Sequence, residues 1–95
     1  MIERHVIFHV YPDRMADFER LFREHYRPAM SAMPGFVKAE LLRDQATAHV
    51  YQMVIRFESS EDAAAWRSSG AHQALKPTLT ALYTDNEVSV YEVIA

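Results

Sequence analysis

The sequence predicts an α+β domain of ferredoxin-like βαββαβ order, a four-stranded antiparallel sheet with helices on one face. Three observations carry that expectation. Residues 2–11, 36–43, 49–57 and 86–94 read as strands, with apolar side chains recurring at period two. Helical stretches with a period near 3.6 separate the first strand from the second and the third from the fourth. The middle two strands are joined by residues 44–48, short enough for a hairpin-like connection.

In the first strand Ile2, Val6, Phe8 and Val10 share one face, and His5, Ile7, His9 and Tyr11 share the other. The second face is neither cleanly polar nor cleanly apolar, so the sheet is expected to be covered on both sides. Pro12-Asp13 ends the strand, with Asp13 as the expected helix N-cap. Met15, Phe18, Phe22, His25 or Tyr26, Ala29 and Met33 then recur at steps of three and four, an amphipathic helix of about five turns. Pro28 has no N–H for the carbonyl four residues back, which predicts a kink or an early end near Arg27. Met33-Pro34-Gly35-Phe36 stops the helix. In residues 49–57, Tyr51, Met53, Ile55 and Phe57 form one face, opposite Val50 and Val54. Ser59 is the expected N-cap of a short helix reaching about Arg67, with Asp62 returning to complete a capping box. Ser68-Ser69-Gly70 breaks it, and residues 71–82 form a second helical piece interrupted by Pro77.

At 95 residues the chain is one domain, 1–95. Its apolar content of 49% and aromatic content of 12% are rich for so small a monomer, which predicts a second buried surface. A homodimer whose second copy covers the open sheet face is the economical form. Net charge is −3 with no concentrated basic face, which argues against nucleic acid as a partner. No run of 18 apolar residues suggests a membrane helix, and no basic-then-apolar leader opens the chain, so a cytoplasmic protein is expected. With no cysteine there is no disulfide, thiolate metal site or thiol nucleophile.

The chemistry-bearing candidates are few. His5 and His9 have the spacing of a metal pair, but on a strand four residues span about 13 Å, too far for one ion, so no metal site is expected. Either histidine could still line a pocket or an interface. Two glycines cannot build a phosphate cradle, and neither Ser-Ser pair has a nucleophile-elbow pattern. The stretch 58–75 holds the only tryptophan, Trp66, with His72 six positions on. Trp66 suits plain core packing on the sheet. It also suits holding a flat ligand, with an apolar face, one N–H donor and small neighbours at Ala63, Ala64 and Ala65. His72 is the nearby residue able to move a proton near neutral pH.

Pro34-Gly35-Phe36 with Val37-Lys38-Ala39-Glu40-Leu41-Leu42, then Ile55-Arg56-Phe57-Glu58-Ser59, Trp66 and Ala71-His72-Gln73-Ala74-Leu75 stand in a telling order and spacing. In these the sequence resembles the antibiotic biosynthesis monooxygenase superfamily. The resemblance implies a dimeric α/β barrel with a pocket in each subunit between helices and sheet. Its cofactor-independent, quinone-forming members line that pocket with Asn, Trp and Tyr, four and then six residues apart. The matching positions are Asp62, Trp66 and His72, which the resemblance makes the catalytic candidates, without a cofactor. In its haem-degrading members the matching first-strand and ligand positions fall at Val6 and near Lys76, which disfavours haem. Other relatives, among them an isomerase of a phosphorylated sugar signal, have a histidine where His72 stands. The expected activity is oxygenation of a small phenol or hydroquinone, with His72 as base, Trp66 stacking on the ring, and His5, His9 or Tyr51 binding its polar groups. An isomerase or tautomerase of a small carbonyl compound and a non-catalytic dimeric binding protein are the alternatives.

Overall fold

In the computed structural model, which describes residues 1–95, strand β1 (Ile2–Val10) is the hub of the sheet. It pairs antiparallel with β3 (Val50–Phe57) on one side and β4 (Tyr83–Glu92) on the other, and β3 pairs with β2 (Phe36–Arg43). The order β2-β3-β1-β4 is the expected ferredoxin-like sheet. Register sets the faces. Val6 lies opposite both Met53 and Val88, so Ile2, Arg4, Val6, Phe8 and Val10 share a face with Tyr51, Met53, Ile55 and Phe57. The helices cover that face, and a cluster of 17 buried apolar residues fills the space between.

The first helical path differs from expectation at Asp13, and of the kink or early end expected near Arg27 the early end does not occur. Pro12 carries the chain straight into a 3₁₀ turn, Pro12–Arg14, where the Tyr11 carbonyl accepts the Arg14 N–H at 2.8 Å. Asp13 therefore lies inside that turn and caps nothing, and Arg14 stands at the N-cap of α1 (Met15–Leu21) without a side-chain bond. Pro28 does not end the helix. The backbone widens into a π-helical turn at Phe22–Tyr26, with the Arg27 N–H reaching Phe22 five residues back, and continues as α2 (Arg27–Ser31). Widening absorbs the donor that proline lacks. Phe18, Leu21, Phe22, Tyr26 and Met30 turn inward, so Tyr26 and not His25 is the core residue of its pair.

The β2–β3 connection is closed by Asp44, whose Oδ1 accepts the N–H groups of Ala46 and Thr47 at 2.8 and 2.9 Å. Helix α3 (Ser60–Ser68) is capped as expected, Ser59 Oγ accepting the Asp62 N–H at 3.1 Å. The Asp62 carboxylate makes no return bond; it lies over Gly35 instead. Gly35 has φ +78°, and a Cβ there would come 2.8 Å from Asp62 Cβ and overlap the carboxylate. Only glycine meets both demands at this turn. Helix α4 (Gly70–Thr80) runs through Pro77 without interruption. The carbonyl left without a helical partner belongs to exposed Gln73, where water can serve it. β4 begins three residues before the expected 86, because a bulge after His9 lets Tyr83 pair with Val10.

The opposite sheet face carries Glu3, His5, Ile7 and His9 of β1 with Val50 and Val54 of β3. No helix covers it. No helix of the protein is long and apolar enough to cross a membrane.

Candidate active site

A cavity of about 260 Å³ lies between α3, α4, the π-helical turn and the sheet. Val6, Phe8, Met53, Ile55 and Phe57 form an apolar floor, in which Arg4 is the one charged residue. Tyr26, Trp66 and His72 form the wall, Arg67, Gln73, Lys76 and Thr80 stand on the helix side, and Tyr83 and Asn86 approach from β4.

The wall follows from local chain geometry. The Ser59 cap starts α3 so that Ala63 and Trp66, three residues apart, both face the sheet, and Trp66 is only 2% exposed. At the end of α3 one hydroxyl does two jobs. Ser69 Oγ donates to the Trp66 carbonyl at 2.7 Å and accepts the His72 N–H at 3.1 Å. It closes α3 and caps α4 together, which sets the position of His72 relative to Trp66. The indole meets the His72 ring edge-on, 5.1 Å between centroids at 84°, and meets Tyr26 at 5.3 Å and 82°. Tyr26 and His72 are 5.9 Å apart, so the three rings touch pairwise. The π-helical turn delivers Tyr26 to this cluster.

Two buried side-chain polar atoms lack a hydrogen-bond partner, and both are here: Trp66 Nε1 and His72 Nδ1. An unsatisfied buried donor or acceptor costs about 1–3 kcal/mol, so two adjacent ones mark a place held for something other than stability. Burial depresses the His72 pKa below its ordinary 6.5, with Lys76, Arg4 and Arg67 adding to the shift. The imidazole is therefore neutral at pH 7 and able to accept a proton. Burial raises the Tyr26 phenol above 10.0; the Trp66 indole pulls the other way from close by, short of hydrogen-bond geometry, as do Arg4 and Arg67. Burial raises Tyr83 as well, so both phenols stay protonated donors.

Of the residues expected from sequence, the structure brings Trp66 and His72 together and leaves the others outside. Asp62 is half-buried against Gly35 and does not line the cavity. His5 and His9 lie on the uncovered sheet face. His5 Nε2 is 2.7 Å from Glu3, which also holds Arg56 at 2.6 Å, and the His5 ring lies 4.8 Å from that of Tyr91. Tyr51 is buried elsewhere, its hydroxyl donating to Glu19 at 2.6 Å; burial and that carboxylate push its phenol up to about 12. The sequence reading missed Arg4, Tyr26, Arg67, Lys76, Tyr83 and Asn86. Arg4 had a signal: it is the one charge at an inward position of β1, between Ile2 and Val6. The others depend on how two helices and an edge strand meet.

The family model described as antibiotic biosynthesis monooxygenase matches residues 1–78. A Nitrosomonas europaea protein assigned as an antibiotic biosynthesis monooxygenase is 16% identical, with each chain covered in full and a TM-score of 0.90. SnoaB of Streptomyces nogalater, a cofactor-independent oxygenase, is 20% identical over 99% of this chain and 93% of its own, TM-score 0.88. A Bordetella bronchiseptica protein with the same assignment as the first is 21% identical over 99% and 97%, TM-score 0.87. At these identities the structures share the fold. No curated protein matches the chain.

Proposed function

Because the chain belongs to the antibiotic biosynthesis monooxygenase family, we propose that it oxygenates a small phenol-type aromatic without a bound cofactor. The observation that carries this reading is the pairwise contact of Tyr26, Trp66 and His72 around two orphaned polar atoms on one cavity wall. The likeness to SnoaB supports it at the level of fold.

In the proposed reaction the substrate is a phenol with an activated CH₂ beside its ring, as in an anthrone. Neutral His72 removes a proton from that carbon. The resulting carbanion passes one electron to dioxygen, and the two radicals join as a C–O bond, giving a peroxide anion that takes a proton from the imidazolium. The hydroperoxide loses water, so CH₂ and O₂ become C=O and H₂O, and the base is restored. Trp66 supplies the face on which the ring is held, Tyr26 and Tyr83 are available donors to its oxygens, and the apolar floor keeps water from the carbanion. Asp62 has no part in the step, being aimed at Gly35.

Oxygen-electrode traces with a panel of anthrone-type phenols test the reading. Uptake above background, with one carbonyl formed per O₂ consumed, is expected. Solvent deuterium entering the substrates with no oxygen consumed would replace the oxygenase by an isomerase, and silent binding would replace it by a carrier.

The proposed partner is a second copy of the chain. Edge strand β4 leaves Val88 and Val90 45% and 57% exposed on the face they share with Val6, and Tyr91 51% exposed on the other, which is costly for a lone small domain. Sedimentation equilibrium should return twice the 11.0 kDa chain mass; a mass that stays at 11.0 kDa at every loading concentration would contradict the dimer.

A further inference from the structure

The cations of this chain are sorted in a way that an oxygenase of neutral phenols does not require. Of its ten lysines and arginines, Arg14, Arg20, Arg23, Lys38, Arg43 and Arg56 each have a carboxylate within salt-bridge distance. Arg27 lies over the Phe22 ring at 5.2 Å. The remaining three, Arg4, Arg67 and Lys76, have no ion-pair partner, and all three line the cavity beside Trp66 and His72. No aspartate or glutamate lines it, although acidic residues outnumber basic ones, 13 to 10, in the chain as a whole. Arg4 is the telling one. It is half-buried on the apolar floor between Ile2 and Val6, where an uncompensated charge is costly. Arg67 and Lys76 are exposed at the helix side of the same opening.

We propose that the ligand of this cavity is an aromatic organic anion, its ring against Trp66 and His72 and its carboxylate or phosphate group on Arg4, with Arg67 and Lys76 drawing it in. The planar fork of an arginine offers two parallel N–H donors to either oxyanion. Apolar walls around an unpaired guanidinium select for a ligand that is flat and apolar at one end and charged at the other. Burial and, after it, repulsion by Arg67 lower the Arg4 pKa, and that repulsion is relieved when an anion lies between the two cations. This inference deepens the oxygenase reading by naming the class of its substrate.

Isothermal titration calorimetry on the full chain at pH 7 compares 2-naphthol, 2-naphthoate, 2-naphthyl phosphate and inorganic phosphate. At least one naphthyl anion is expected to bind roughly tenfold or more tighter than naphthol. That preference should shrink as salt is raised and largely vanish in Arg4→Met. The tighter of the two anions identifies the charged group. Should Arg4→Met fail to fold, the exposed double variant Arg67→Gln/Lys76→Gln carries the test and should weaken both anions more than naphthol, while Arg27→Gln should not. Naphthol binding as tightly as both anions, a salt-independent preference, or inorganic phosphate binding as tightly as naphthyl phosphate would overturn the proposal. Oxygen uptake with neutral phenols and no anion preference removes this inference and leaves the oxygenase. Anion-selective binding with no uptake does the reverse.

Discussion

Replacing His72 by alanine lowers the oxygenation rate by roughly 10²- to 10⁴-fold, the usual contribution of a positioned general base. The side chain reaches its place through its own backbone N–H, held by Ser69 Oγ, so the alanine variant keeps that cap and stays folded. The pH profile identifies the cause. In the proposed step His72 acts in its neutral form, and its pKa lies below 6.5 through burial and the charges of Lys76, Arg4 and Arg67. Wild-type activity should therefore be on its plateau at pH 7 and fall only on acidification, with a midpoint below 6.5. The acid limb attributable to His72 disappears in the variant. Neutralising Lys76 removes a cation that disfavours imidazolium, so Lys76→Gln moves the midpoint upward, towards the ordinary value. The same lowered pKa has a consequence for stability. The unfolded chain takes up the His72 proton first, so stability is lost as pH falls from 6.5 towards the folded-state pKa and is retained above 6.5. An alanine variant within about threefold of wild type would remove His72 from the mechanism, since a general base contributes far more than that.

Trp66→Ala is expected to be strongly damaging to the fold. Trp66 is 2% exposed, and its ring touches both Tyr26 and His72 in edge-on contacts. Truncating a buried tryptophan costs about 3–5 kcal/mol. A domain of this length is expected to have only about 5–14 kcal/mol in total, so the variant loses a large share of its stability. Urea titration should show the midpoint fall accordingly. Trp66→Phe separates packing from recognition. It keeps most of the apolar ring and deletes the orphaned indole N–H, so its stability loss is much smaller, while ring-ligand affinity still falls. Equal losses in the alanine and phenylalanine variants would show that the fold depends on the full indole volume, which a phenyl ring does not restore.

The pattern of legibility follows from which forces are local. Period-two alternation in β1 and β3 fixed the sheet faces, because register converts alternation directly into burial, and the Ser59 cap was visible as a side chain followed by its helix. Pro28 was read as a kink or an early end and Pro77 as an interruption, since their missing N–H is a local fact. The compensations, a π-helical widening at Phe22–Tyr26 and an exposed carbonyl at Gln73, depend on surroundings that no short window contains. The site divides the same way. Trp66 and His72 are joined by one short break that Ser69 closes, and their proximity could be read from the sequence. Asp62 matched a spacing but not a direction, because its side chain is committed to the turn at Gly35. His5, His9 and Tyr51 were grouped by chemistry alone. The sheet places the two histidines on the far side from the cavity, and Glu19 takes the tyrosine hydroxyl. Arg4 shares the inward face of Ile2, Val6, Phe8 and Val10, and only the cavity beneath the helices gives its charge a meaning.

The central claim, that this cavity transfers oxygen to an organic substrate, is tested most directly by supplying ¹⁸O₂ to the purified protein and an accepted anthrone-type phenol, and weighing the product by mass spectrometry. One labelled oxygen in the new carbonyl, with incorporation lost in His72→Ala, is the predicted result. A product whose oxygen comes from water, or one labelled equally well by the alanine variant, would contradict it.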